Sequence, residues 1–221
     1  MILAVALNAA LDVTYHVDGE VRPHATHRVR AVDAMAGGKA LNTARVLHGW
    51  GEKATATGLV GGATGAQIVA RVPAGLPHSF VTVAGESRRA LVVADSLDAT
   101  GFWEPGPEVT AAEWDRFVAR FRALLKVSSV AVLSGSLPRG LAPDSYARLV
   151  AEARAARVTS ILDCDGEALL LALAEKPDLI KPNAAELAAA VPGIDTSTVD
   201  GCRRAAERLR SAGAGAVVAS R

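Results

Sequence analysis

The chain has 221 residues, 50% of them hydrophobic and 21% charged, with 24 Lys+Arg against 23 Asp+Glu. That length can bury a real core and suits one α/β domain with a small appendage. A formal net charge of +1 gives no long-range pull on nucleic acid or an anionic membrane, so neither is expected as a partner and any bound anion needs a local site.

The first seven residues, from Met1 to Leu7, are apolar but lack a basic leader, and they meet Asn8 and Asp12 too soon for a signal peptide or a membrane span. They read as a buried strand, and the protein is expected to be cytoplasmic. A helix is expected over 39–50 and a strand over 55–60, followed by the loop Gly61-Gly62-Ala63-Thr64-Gly65. Thr110 and Glu113 have the spacing of a capping box, and Trp114, Phe117, Phe121, Leu124 and Leu125 then fall on one helical face. A strand over 127–133 leads into Ser134-Gly135-Ser136-Leu137-Pro138-Arg139-Gly140. Asp144 is expected to cap a helix to about residue 156. Then come a strand over 158–162, a helix over 166–175, a short strand over 179–181, a helix opened by Asn183, a helix over 198–212 and a strand over 215–219.

Repeated strand–helix–strand units imply a mostly parallel sheet with helices on both faces and ligands at the carboxyl ends of its strands. Two stretches, 13–32 and 86–104, alternate polar and apolar residues with no helical period, and read as half-exposed strands forming a small β-sheet lid. The two cysteines, Cys164 and Cys202, form no C-x-x-C and read as buried free thiols. The five histidines show no metal-ligand spacing and no triad pattern.

Several motifs carry candidate chemistry. Gly37-Gly38-Lys39-Ala40-Leu41-Asn42 puts two glycines and a lysine before a helix, where backbone N–H groups can approach an anion. It lacks Walker A spacing, and on spacing alone an ordinary glycine turn is as good a reading. Asp12, directly after the first strand, either accepts hydrogen bonds from sugar hydroxyls or caps a turn. Arg28 and Arg88, on the two lid stretches, can converge on a phosphate through their guanidinium forks, or stand solvated at strand edges. Ser136 and Arg139 sit in a strand-terminal loop that either lines a pocket or is a plain turn. In Lys181-Pro182-Asn183-Ala184-Ala185-Glu186, Asn183 and Glu186 form a second capping box; the functional alternative faces them toward nucleotide phosphates, with Glu186 holding Mg²⁺ through water.

In order and spacing these segments resemble the PfkB carbohydrate kinases of the ribokinase type. The match runs from Leu7-Asn8-Ala9-Ala10-Leu11-Asp12, through Gly37 to Asn42, Gly85-Glu86-Ser87-Arg88, Glu104-Pro105-Gly106-Pro107-Glu108 and Ser134 to Gly140, to Lys181-Pro182-Asn183-Ala184-Ala185-Glu186. The Glu-Pro-Gly-Pro-Glu and Ser-Gly-Ser-Leu-Pro segments point to the phosphofructokinase and tagatose-phosphate kinase branch. The resemblance implies a ribokinase-like three-layer fold, ATP as donor, Mg²⁺ as helper and a ketohexose phosphate as acceptor: fructose 1-phosphate, fructose 6-phosphate or tagatose 6-phosphate. It assigns Asp12, Gly37, Gly38, Lys39 and Asn42 to the sugar, with Ser136 and Arg139 beside it. Arg28 and Arg88 fall to its phosphate, Lys181, Asn183 and Glu186 to ATP, and Glu186 also to Mg²⁺. It also implies a homodimer through the lid. Ala9 stands where the family usually has proline, and Ala40 where it usually has glycine. The family's Gly-Ala-Gly-Asp segment, which carries the catalytic base, does not occur in these residues, so the base is expected beyond Arg221. The alternative is a catalytically inert sugar-phosphate binder. A dinucleotide enzyme would need G-x-G-x-x-G after the first strand, where Asn8-Ala9-Ala10-Leu11-Asp12 stands instead.

Overall fold

The computed structural model describes residues 1–220. Its central sheet has seven parallel strands: β1 (Ile2–Ala6), β4 (Ala54–Gly61), β5 (His78–Val83), β8 (Val130–Ser134), β9 (Thr159–Asp163), β10 (Leu179–Ile180) and β11 (Ala216–Val217). Their order is β11-β10-β9-β8-β1-β4-β5. The pleat sends alternate side chains of β1 to opposite faces. Leu3, Val5 and Leu7 join the larger core, with Phe117 and Phe121 of α3 (Ala111–Leu125), Tyr146 and Leu149 of α4 (Ser145–Ala155), and Leu169 of α5 (Gly166–Leu173). Leu187 of α6 (Ala184–Ala190) and Leu209 of α7 (Val199–Ser211) belong to the same core. Ala4 and Ala6 face the smaller one, with Leu41 and Ala44 of α1 (Lys39–Gly49) and Ile68 of α2 (Gly62–Ala70). The result is three layers, helix–sheet–helix, as expected.

A second sheet is built from two excursions. After β1 the chain forms β2 (Ala10–Val17) and β3 (Val29–Gly37); after β5 it forms β6 (Arg88–Ala94) and β7 (Ala99–Trp103). Their order is β3-β2-β6-β7, with β2 and β6 parallel and the outer pairs antiparallel. Both excursions leave from carboxyl ends of central strands, which places the small sheet beside the edge where ligands bind in such folds.

Three expectations are corrected, and one strand had no expectation. Gly62 to Gly65, expected in a loop, is the first turn of α2: the Glu86 carboxylate accepts from the N–H groups of Ala63 and Thr64 at 3.1 and 2.5 Å and so caps a helix that lacks a capping side chain of its own. Asp144 precedes α4 but its side chain makes no cap hydrogen bond. Residue 127 lies past the end of α3 rather than in a strand, and β8 begins at Val130. β5 was not foreseen, because His78–Val83 is an edge strand with one buried residue and a weak alternation. Both sequence-read capping boxes form, at Thr110/Glu113 and at Asn183/Glu186. Cys164 and Cys202 are free and buried.

Candidate active site

A cavity of about 340 Å³ opens where the small sheet meets the carboxyl ends of β1, β8 and β9. Its walls include Asp12, Gly38, Lys39, Asn42, Arg88 and Ser136, together with Asn8, Trp103, Ser134, Cys164 and Asp165.

Strand register explains the first group. Ala10 pairs with Arg88 in the parallel β2·β6 ladder and with Gly37 in the antiparallel β2·β3 ladder. Side chains two residues apart share a face. Asp12, Arg88 and Gly37 therefore lie on one side of the small sheet, and Trp103, paired with Ala90, joins them. Asp12 is thus the third residue of β2 and not a loop residue after β1. A Cβ on Gly37 would lie 2.0 Å from the Asp12 carboxyl carbon, so any larger residue there would displace the Asp12 carboxylate. Gly38, at φ +94°, turns the chain into α1.

The Gly38 N–H and the Asn42 side chain are donors placed to favour the charged form of Asp12. Asn42 in turn accepts from Arg45 Nη2 at 2.8 Å, which leaves its amide group free to donate to Asp12. Burial raises the Asp12 pKa, against the pull of these donors and of Arg88 and Arg45. Burial lowers that of Arg88, against the attraction of Asp12. Arg88 Nε donates to the Asn8 carbonyl at 3.1 Å. Arg45 gave no sequence signal beyond its place on the helix; its role emerges only from the contact with Asn42.

Lys39 takes a position set by carboxylates. Its Nζ donates to Asp163 Oδ1 at 3.1 Å and to Glu186 Oε1 at 3.2 Å. Burial works against its charge, but the two carboxylates outweigh it and the pKa rises. Lys181 reaches the same Asp163 at 3.8 Å. Glu186 Oε2 accepts from the Asn183 N–H at 2.9 Å, so one side chain completes the helix cap and also faces Lys39. The two readings of that motif are compatible. Beside them the Cys164 thiol has its pKa pushed up to about 12 by burial and by Asp165 and Asp163, which makes it a poor nucleophile.

Six residues named from the sequence do not line this cavity: Gly37 lies behind Asp12, Lys181, Asn183 and Glu186 belong to the neighbouring strand–helix junction, and Arg28 and Arg139 point elsewhere. Arg28 is exposed and precedes β3, near the Val17 end of β2. At about 3.3 Å per residue that is roughly 20 Å from Asp12. Arg139 lines a neighbouring groove of about 330 Å³ that shares Gly135, Ser136, Cys164 and Asp165 with the cavity. It donates to the Gly106 carbonyl at 3.4 Å and pairs loosely with Glu108 at 3.8 Å. Among the described residues, no group of three or more His, Cys, Asp or Glu side chains is placed to hold a metal, and no helix is long and apolar enough to cross a membrane.

Residues 3–221 match the family model described as pfkB family carbohydrate kinase. The chain belongs to the pfkB family of carbohydrate kinases. Solved structures of similar fold agree with this family. Phosphofructokinase-2 from Escherichia coli in complex with fructose-6-phosphate is 29% identical, with a TM-score of 0.87 over 99% of this chain and 73% of that one. A Thermotoga maritima protein solved as a possible 1-phosphofructokinase is 27% identical, with a TM-score of 0.90 over 100% of this chain and 71% of that one. The same E. coli enzyme has also been solved in a tetrameric inhibited form. Asp12, Lys39, Asn42, Arg88 and Ser136 meet at the carboxyl-end edge of the central sheet, where open α/β folds bind ligands.

Proposed function

We propose that this chain carries the acceptor site of an ATP-dependent kinase that phosphorylates a ketohexose phosphate to the bisphosphate. Fructose 1-phosphate, fructose 6-phosphate and tagatose 6-phosphate are the three candidates. The observation that carries the reading is the meeting of a half-buried carboxylate, Asp12, with a half-buried guanidinium, Arg88, in one cavity of about 340 Å³. A sugar phosphate presents the complement of both: hydroxyl donors for Asp12 and anionic oxygens for Arg88. Gly38, Lys39, Asn42 and Ser136 complete the acceptor site, with Gly37 giving Asp12 its room. Arg28, before the start of β3, is too far from Asp12 to join it within one chain.

ATP is assigned to Lys181, Asn183 and Glu186, whose strand–helix junction offers a lysine and a helix N-terminus. Glu186 and Asp163 supply the oxygen donors a hard cation takes, and two carboxylates suit Mg²⁺ that keeps much of its water. Bound there, the ion would neutralise charge on the transferring phosphoryl group. Phosphoryl transfer also needs a base for the attacking hydroxyl. None is assigned among residues 1–221; the reading takes it from the family's Gly-Ala-Gly-Asp segment.

A homodimer through the small sheet belongs to the same reading. Its face away from the site shows Val13, Tyr15, Val32, Ala34, Leu91 and Phe102 around one broad depression. The deciding experiment is calorimetric titration with each of the three phosphosugars, followed by an ADP-release assay with ATP and Mg²⁺. Binding of one ketohexose phosphate is expected. Binding of none overturns the reading, and binding without ADP release from the full-length gene product leaves a phosphosugar binder rather than a kinase.

A further inference from the structure

Asn8 stands at the carboxyl end of β1, 8% exposed, with two arms of the cavity resting on it. Its main-chain carbonyl takes Arg88 Nε at 3.1 Å. Its side-chain Nδ2 donates to Ser136 Oγ at 3.0 Å. Its Oδ1 is buried with no hydrogen-bond partner, turned toward Gly106, where a Cβ would lie 2.2 Å from that oxygen. A buried oxygen left unpaired in this way requires an explanation.

We propose that Asn8 is a positioning residue that fixes Ser136 as a hydrogen-bond donor toward the ligand; this rests on the phosphosugar reading above. A serine hydroxyl has one proton and two acceptor lone pairs. With a lone pair occupied by Asn8 Nδ2, the Ser136 proton is directed elsewhere, and Ser136 lines the cavity. The opposite amide orientation would leave two buried N–H donors against Gly106 instead of one unpaired oxygen, and it would draw the Ser136 proton back onto the protein. The unpaired Oδ1 is the cost of holding the hydroxyl in the donating sense. Arg88 and Ser136 thus converge as two donors held by one residue, the first through its backbone and the second through its side chain. An acceptor oxygen of a phosphosugar is the chemistry that matches.

Because the backbone carbonyl holds Arg88, a side-chain change at Asn8 tests the Ser136 arm alone. Asn8→Leu keeps the size, removes the amide donor and also removes the unpaired oxygen. Affinity for the best-bound of fructose 1-phosphate, fructose 6-phosphate and tagatose 6-phosphate is expected to fall roughly three- to tenfold, the scale of one hydrogen bond loosened rather than abolished. The melting temperature is expected to hold or rise. In a Ser136→Ala background the same change is expected to have no further effect on affinity, because there is no hydroxyl left to orient. An unchanged affinity in the single variant, or an equal loss in the Ser136→Ala background, overturns the inference. Asn8→Ala provides the same comparison if the leucine variant does not fold. Failure of the wild type to bind any of the three sugars instead overturns the phosphosugar reading itself.

Discussion

Asp12, proposed above to bind the sugar, weighs on the stability of the empty fold. Its burial raises its pKa, so the folded chain holds that proton to higher pH than the unfolded chain does. Between the ordinary value of 3.8 and the raised one, the folded state binds more protons, and stability falls as pH rises. Asp12→Asn removes the buried charge. The variant is expected to melt above the wild type at neutral pH and to lose that advantage below the ordinary carboxyl range. Phosphosugar binding should be lost at every pH. Melting curves across pH check the first part and calorimetry the second; a variant less stable than the wild type at neutral pH would contradict it. Sequence reading named Asp12, Gly38, Lys39, Asn42, Arg88 and Ser136, all of which line one cavity. It gave no role to Arg45 or Asp163, because their parts depend on contacts with Asn42 and Lys39 made only in the fold. It included Arg28 because a strand pattern shows which residues alternate, not where along the strand the ligand lies.

At the scale of elements, helix starts were the most legible features, since a capping box is local chemistry. Glu113 does more than cap α3. Its Oε2 accepts from the Thr110 N–H at 2.8 Å and its Oε1 from the Ala84 N–H at 2.7 Å, so it also ties the helix to the segment after β5. Thr110→Ala is expected to destabilise the protein by about 1 kcal/mol, read by urea unfolding, without changing ligand affinity, since α3 lies on the far side of the sheet from α1. A loss of affinity would show that this helix is coupled to the site. The N-terminus of α2 was illegible for the opposite reason. Its cap is Glu86, twenty-two residues from Thr64, and no local pattern announces a cap supplied from the connection between β5 and β6.

At the scale of the whole molecule, the homodimer proposed above would use the outer face of the small sheet. Val32 and Phe102 are each 57% exposed on it, and an apolar face of this kind favours self-association. Light scattering is expected to give twice the chain mass for the wild type and a monomer for Phe102→Glu; a wild type monomeric at micromolar concentration would remove the dimer. The sequence by itself determined the layer architecture, the parallel sheet and most of the residues around the cavity. Alternation, helical period and capping chemistry are short-range properties, and the order of the motifs carried the family. Only the tertiary structure decided the register that places Asp12 over Gly37 beside Arg88, the seating of Lys39 between Asp163 and Glu186, and the exclusion of Arg28. Those depend on which strands pair and how far they slide, and pairing between β2 and β6 joins residues nearly eighty positions apart.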